Sequence, residues 1–330
     1  MTSRSRDRRV FFERHPFSSG FLNPTFLPTS LECIFNPFHD ETTTPTLPTR
    51  SQWNAKLNPP ECTYAPELNI PTRQPGQMYF SYLFSCGKAY IAFYKSGISH
   101  VRSTARLAKS LGPKARMVGA GSAVLTRAEW QVIRRSRRDM LRLPAFGILV
   151  LVMGEWLPLI ALWITPLVPE VCRIPAQVRK ELEKLEKTRR ERVEKMIMSV
   201  KEELRLEGRH VVKLRAPQTV QVEEVRRLSR VDLISVSAKL DAHSRVLDYL
   251  PRIGPVVVAL RWGLERKLRY LCTDDDLIMK DGGWQGLGKE EVRRACVDRG
   301  IDVLGRSEAE MRKGLAGWFD GRRDTRSRSR

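Results

Sequence analysis

The sequence predicts a mainly α-helical protein with a single transmembrane helix, followed by an all-helical soluble domain that ends in a helical hairpin. Three observations carry this. Residues 145–165 hold one charge in 21 positions. Long segments on both sides repeat their apolar residues at spacings of three and four, the period of a helix. Charge is partitioned around the apolar block. Residues 1–142 hold 21 Lys or Arg and 9 Asp or Glu (+12), residues 143–170 two Glu alone (−2), and residues 171–330 hold 37 and 26 (+11), summing to the formal +21. An excess of this size speaks to anionic partners such as nucleic acid, ribosomal RNA or anionic lipid, not to fold. A multi-span transporter is excluded by a mean hydropathy of −0.35 and the lack of a second segment of this kind.

Residues 1–20 hold five Arg and four Ser. That composition fits a mitochondrial presequence, although Asp7 and Glu13 count against it and a disordered basic tail fits equally. Residues 21–77, rich in Pro and Thr, read as an extended linker with little packed structure. Residues 78–142 read as amphipathic and Arg-rich helices. Phe80, Phe84, Ile91, Tyr94, Ile98, Val101 and Ala105 form one apolar stripe opposite Lys88, Lys95, Arg102, Arg106 and Lys109. Such a helix lies on a membrane surface or packs on a partner helix, and packing is the commoner case. Thr126 and Glu129 form a capping box, in which hydroxyl and carboxylate each satisfy a free amide of the first turn. The helix they open carries Arg127, Arg134, Arg135, Arg137, Arg138 and Arg142 and runs into Leu143–Pro144.

Residues 143–170 form the predicted transmembrane segment. At about 1.5 Å per residue its 21-residue apolar core spans the roughly 30 Å of bilayer hydrocarbon. Glu155 sits at its middle, where an ionised acid is costly and faces a partner or a wet cavity. Pro158 removes a backbone bond and favours a kink, and Pro166 follows. Glu155 thus suits an ion-handling site or a protonated group bonded to a neighbouring helix. Topology does not follow from charge, because 127–142 and 171–190 are about equally basic.

Residues 171–320 form the helical domain. A charged helix over 175–207 has a narrow apolar seam, with Glu183–Lys187 and Glu191–Lys195 as supporting pairs. Shorter helices follow over 220–271, punctuated by Pro251 and Pro255. The acidic run Cys272–Asp276 lacks the Gly and Glu of a calcium loop and reads as a solvated turn. The hairpin spans 287–319: one helix burying Leu287, Val292, Ala295 and Cys296, a turn capped by Gly300, and a second helix burying Met311, Leu315 and Trp318, opened by the Ser307–Glu310 capping box. Arg293, Arg294, Arg299, Arg306, Arg312 and Lys313 decorate it, and a basic helical hairpin of this kind can dock on DNA, on rRNA or on ribosomal protein. The layout is similar to SAP-type modules, which bind DNA. Residues 321–330 read as a disordered Arg/Ser tail. No catalytic constellation, zinc spacing or phosphate loop stands out, so neither an enzyme, a metal nor a cofactor is expected. The six scattered cysteines suit a reducing compartment.

The order of parts, with the runs LPAFGILVLVMGEWLPLIALWITPLVPEVC, SRVDLISVS and DDLIMKDGGWQGLGKEEVRRACVDRGIDVLG, resembles the Letm family of mitochondrial inner-membrane proteins over about 127–320. The resemblance implies a single-pass protein of the mitochondrial inner membrane with its C-terminal domain in the matrix. It also implies binding to the mitochondrial ribosome, support of membrane-protein biogenesis, and a part in ion homeostasis. Glu155 matches the family's intramembrane acid, so potassium–proton exchange by a homo-oligomer is the alternative; a SAP-like nucleic-acid-binding protein is a second. The expected partners are the ribosome (rRNA or ribosomal proteins) and inner-membrane lipid, with no small-molecule substrate. The EF-hand and long C-terminal coiled coil of larger members are missing, so calcium sensing does not carry over.

Overall fold

A computed structural model of the chain describes residues 55–117, 125–153, 168–207, 214–249 and 254–328. Among these residues there are seven α-helices, short 3-10 turns and no strand. The helices are α1 (Tyr79–Met117), α2 (Arg127–Met153), α3 (Pro175–Glu207), α4 (Arg230–Lys239), α5 (Gly254–Lys280), α6 (Lys289–Asp298) and α7 (Glu308–Arg328).

The capping box opens α2 as expected: Thr126 N donates to Glu129 Oε2 at 2.9 Å and Glu129 N to Thr126 Oγ1 at 3.3 Å. α1 and α2 pack antiparallel. Lys114, near the end of α1, reaches Glu129 at 2.6 Å, and Tyr94 meets Phe146 late in α2 with ring centres 6.1 Å apart. α2 does not stop at Leu143–Pro144 but continues to Met153. The proline withholds one N–H from the carbonyl of Met140, a residue exposed enough for water to replace that bond. The apolar stripe of α1 is divided. Tyr94 and Val101 are buried against α2, whereas Phe80 is 80% exposed and Phe84 67%. In the register set by Tyr94 and Phe146, Met153 is level with roughly Gly87, so the start of α1 projects past the described end of α2.

No helix among the described residues is long and apolar enough to cross a membrane. Residues 154–167, which include Glu155, Pro158 and Pro166, lie outside the described residues, as does the presequence-like 1–20. The chain re-enters at Val168, which joins Phe93, Tyr94, Phe146 and Leu149 in one apolar cluster.

The larger core is built around α5, whose Leu260, Leu264, Leu268 and Leu271 lie on one buried face against α4, α6 and α7. The predicted hairpin is there: Leu287, Val292, Ala295, Cys296, Met311, Leu315 and Trp318 are all buried in this core. Ser307 N donates to Glu310 Oε2 at 2.8 Å, completing the second capping box. Gly300 has φ +75°, and a Cβ there would stand 2.4 Å from the Lys239 carbonyl oxygen, so both backbone shape and the approach of α4 require glycine. α3 is tied to the hairpin by polar groups: Glu186 Oε1 accepts from Val303 N (2.9 Å) and Leu304 N (3.1 Å), and Arg189 Nη2 donates to Val297 O (2.6 Å). Its i,i+4 pairs include Arg179–Glu183, Lys187–Glu191 and Glu186–Arg190.

Three expectations are corrected. The run Cys272–Asp276 is not a solvated turn; it lies inside α5, with Asp274 and Asp275 buried. The Pro-rich stretch is not free of packing. Leu57 is fully buried in the core, Asn58 Oδ1 accepts from Gly288 N at 2.8 Å, and Tyr64 OH donates to Glu291 Oε1 at 2.8 Å. α7 continues to Arg328, because Arg322 turns inward and its Nε donates to Asp275 Oδ2 at 3.2 Å.

These corrections share a cause, a buried network in which four guanidiniums, those of Arg127, Arg135, Arg299 and Arg322, meet three carboxylates. Arg127 Nε donates to Asp274 Oδ1 (2.9 Å), and its Nη1 to Glu291 Oε2 (2.9 Å) and the Leu57 carbonyl (2.9 Å). Arg135 Nη2 donates to Glu291 Oε1 at 2.7 Å. Arg299 Nη2 bridges Asp274 Oδ2 (2.8 Å) and Asp275 Oδ1 (2.6 Å). Gln131 and Trp318 donate to the remaining acceptor sites of Asp274 and Asp275. Burial alone would keep Glu291 protonated, but Arg135 and Arg127 overcome it and hold its pKa at about 2. Burial likewise opposes the charge on Arg299, and Asp275 and Asp274 more than restore it.

Removing one member of such a network strands a charge away from water. Glu291→Gln is therefore expected to cost about 3–5 kcal/mol at neutral pH, read from urea unfolding of both proteins. The Glu291 pKa is lowered by folding, so its contribution is complete above its ordinary value of 4.5 and fades as pH falls through about 2. The stability gap between wild type and Glu291→Gln should narrow over that window; a gap independent of pH would refute the assignment. Gly300→Ala should lose about 1–3 kcal/mol from its backbone conformation alone, and more from the clash with Lys239, seen as a lower melting midpoint.

Candidate partner-binding surface

The six basic residues expected to face a partner do not form one free patch. Arg299 is corrected outright: it is 2% exposed and its guanidinium is spent inside the core. Arg293 pairs with Glu290 at 2.5 Å, and Arg294 with Glu170 at 2.7 Å. Arg312 pairs with Glu308 at 2.8 Å and donates to the Leu287 carbonyl at 2.8 Å, where it ties α7 to the segment before α6. Arg306 pairs with Glu310 at 3.0 Å but remains half exposed. Lys313 alone of the six is exposed with no ion pair among the described residues. Most of the hairpin's arginines are thus engaged in ion pairs within the protein, while the helix–turn–helix layout itself is present.

A different surface stands out on α5. Val258, Trp262 and Arg266 follow one another at spacings of four on one face, with Trp262 63% exposed and the Arg266 guanidinium 4.9 Å from its ring centre. Tyr249, just before this helix in the chain, is even more exposed. An exposed Trp flanked by cations is the composition of interface hot spots and of base-stacking platforms. The signal was in the sequence. Leu260, Leu264, Leu268 and Leu271 define the buried face, and Trp262, two residues from both Leu260 and Leu264, falls on the opposite side.

Folding also brings together a Ser, a His and an Asp that the sequence separates. Ser237 Oγ lies 2.6 Å from His243 Nδ1, and His243 Nε2 lies 2.9 Å from Asp248 Oδ1. This trio does not suit nucleophilic catalysis. Ser237 is fully buried within α4, so no substrate reaches its Oγ. Arg192 of α3 closes the cluster with ion pairs to Asp241 (2.6 Å) and Asp248 (2.8 Å). Burial pushes the His243 pKa below the usual histidine value, which keeps the ring neutral near pH 7. The cluster fixes the α4–α5 connection on α3. The acidic run of α5 cannot act as a calcium loop either, since Asp274 and Asp275 are committed to arginines.

Comparison with known proteins agrees with this architecture. Residues 125–329 match the family model described as LETM1-like, RBD, which covers more than half of the chain. Over 220 residues, 59% of this chain, the sequence is 30% identical to a relative from Drosophila melanogaster described as a mitochondrial proton/calcium exchanger protein. That stretch is 21% of the relative, so the chain spans about a fifth of the relative's length. No solved structure matches the chain. The match begins at the cap of α2 and runs through the whole of α7, and so takes in every residue of the buried Arg–Asp–Glu network: the chain belongs to the LETM1-like RBD family.

Proposed function

We propose that this protein is held at the mitochondrial inner membrane by its apolar segment 145–165 and binds the mitochondrial ribosome with the helical domain on the matrix side. In that position it supports membrane-protein biogenesis and ion homeostasis. The observation that carries the reading is membership of the LETM1-like RBD family together with an exposed aromatic–cationic face, Trp262 and Arg266, on α5. The 37 basic against 26 acidic residues of 171–330 favour a polyanionic partner such as rRNA. With the hairpin's arginines largely paired, Trp262 and Arg266 are the main contact we assign, with Lys313 and Arg306 as lesser cationic contacts.

In co-sedimentation of the full chain with purified mitochondrial ribosomes, binding should weaken steeply with salt. Trp262→Ala is expected to reduce affinity by on the order of tenfold or more, and Lys313→Ala by less. Equal binding by wild type and Trp262→Ala would reject the α5 surface, and no binding by wild type would reject the function.

A second reading, potassium–proton exchange, has one observation in its favour, the proton-coupled exchange named in the similar fly protein, which is described for calcium. Glu155 would be the protonatable group, and since one apolar segment encloses no path, a homo-oligomer would be required. Full-chain proteoliposomes carrying Glu155→Gln should then lose potassium-driven proton flux. Flux unchanged by the substitution would end this reading.

A further inference from the structure

A cavity of about 970 Å³ opens between α2, the Glu170–Arg173 stretch, α3 and α6. Its walls are rich in arginine, and most of those guanidiniums are neutralised: Arg127 and Arg135 by the buried carboxylates, Arg293 and Arg294 by Glu290 and Glu170. Three on α2 are not. Arg134, Arg138 and Arg142 stand one helical turn apart, all line the cavity, and none has an ion pair with a carboxylate among the described residues. Arg134 lies 3.5 Å from the centre of the Tyr270 ring, which stacks in turn on Trp130, so its guanidinium is held in place without being neutralised.

The electrostatics agree. Burial pushes the Arg134 pKa down, aided by Arg138 and only partly offset by Tyr270 and Asp298; burial and then Arg173 do the same to Arg142, against a smaller pull from Asp139 and Glu170. The carboxylate-paired Arg135 and Arg299 shift the other way. Glu170, Glu181 and Asp298 line the same cavity, but none is ion-paired to these three arginines, whose guanidinium donors therefore remain open to an anion. Arginine forks match phosphate oxygens in particular.

What surrounds the cations indicates the rest of the ligand. Residues 134, 138, 141, 148 and 152 recur at spacings of four, three, seven and four, which is one face of α2. That face changes character along its length: Arg134 and Arg138, then Leu141, Ile148 and Val152, all three of these apolar side chains exposed. From Arg138 to Val152 the helix rises roughly 21 Å, comparable to a lipid acyl chain. A nucleic acid has no use for the apolar half of this face.

We propose that the cavity binds an anionic phospholipid, with headgroup phosphate among Arg134, Arg138 and Arg142 and acyl chains along Ile148 and Val152. Phosphate is the shared chemistry of lipid headgroup, free phosphate and RNA; the apolar continuation selects the lipid. This rests on the membrane attachment proposed above and assigns to it a specific lipid contact.

The test uses the full chain in phosphatidylcholine vesicles with increasing phosphatidylglycerol, with the melting midpoint followed by circular dichroism. Phosphatidylglycerol should raise the midpoint of wild type, and of a charge control with Lys180, Lys289 and Arg323 changed to Gln. The Arg134→Gln/Arg138→Gln/Arg142→Gln variant should show no rise. If that variant misfolds, Arg138→Gln alone, at an exposed position, should need on the order of tenfold more phosphatidylglycerol for the same rise. A wild-type midpoint insensitive to phosphatidylglycerol, or Arg variants that respond like wild type, would overturn the proposal. So would an equal rise produced by inorganic pyrophosphate or polyuridylate without anionic lipid, which would make the ligand free phosphate or RNA. Flotation with neutral vesicles separates the two layers: protein that fails to float refutes membrane attachment itself, whereas floating protein with a flat response refutes only the lipid site.

Discussion

The structure depends on charge balance in a place without water. Arg127, Arg135 and Arg299 meet Asp274, Asp275 and Glu291 at the junction of α2, α5 and α6, and through Leu57 and Trp318 they also engage the N-terminal stretch and α7. Apolar contacts are tolerant of small rotations, but guanidinium–carboxylate forks are not. Each helix that contributes an ion to this junction is therefore fixed in rotation and register, since any slip would leave a charge unpaired in a medium that cannot solvate it. The network's contribution to net stability is modest compared with its demand for a single arrangement. The apolar core of α4–α7 supplies the driving force.

The same junction changes the meaning of the chain's charge. A formal +21 suggests a broadly adhesive surface, yet several of the arginines behind it are internal fixings. Arg299 holds α6 to α5, Arg312 holds α7 to the start of the hairpin, and Arg192 holds the α4–α5 connection to α3. Cations left unpaired are concentrated elsewhere, on the outward face of α1, around Trp262 on α5, and along the cavity-facing side of α2. Function is best sought at those places, because a guanidinium already bonded to a carboxylate must be stripped from it before it can serve a partner.

Much of the local structure was legible. The capping boxes at Thr126 and Ser307 are read from four consecutive residues, and both form. The hairpin over 287–319 was readable from apolar spacing, and Gly300 from its place after that helix. Trp262 was also within reach, because the buried face of α5 excludes it. The acidic run at 272–276 was misread because a cluster of Asp usually seeks water, and its three arginine partners lie 24 to 147 residues away. For the same reason Arg299 looked like a surface cation. Arg322 looked like part of a free tail until its carboxylate, 47 residues back, was in view.

The sequence by itself determined the capped starts of α2 and α7, the inward faces of the two hairpin helices, and that one apolar block, charged only at Glu155, separates two basic flanks. Those features depend on neighbours three or four positions apart, and the backbone enforces that distance. Tertiary structure decided which charged residues are structural and which remain free for partners. A lone Arg or Asp carries no sign of its fate in its own segment. Whether it is buried and neutralised or left facing a cavity depends on which distant carboxylate the packed core brings to within about 3 Å of it.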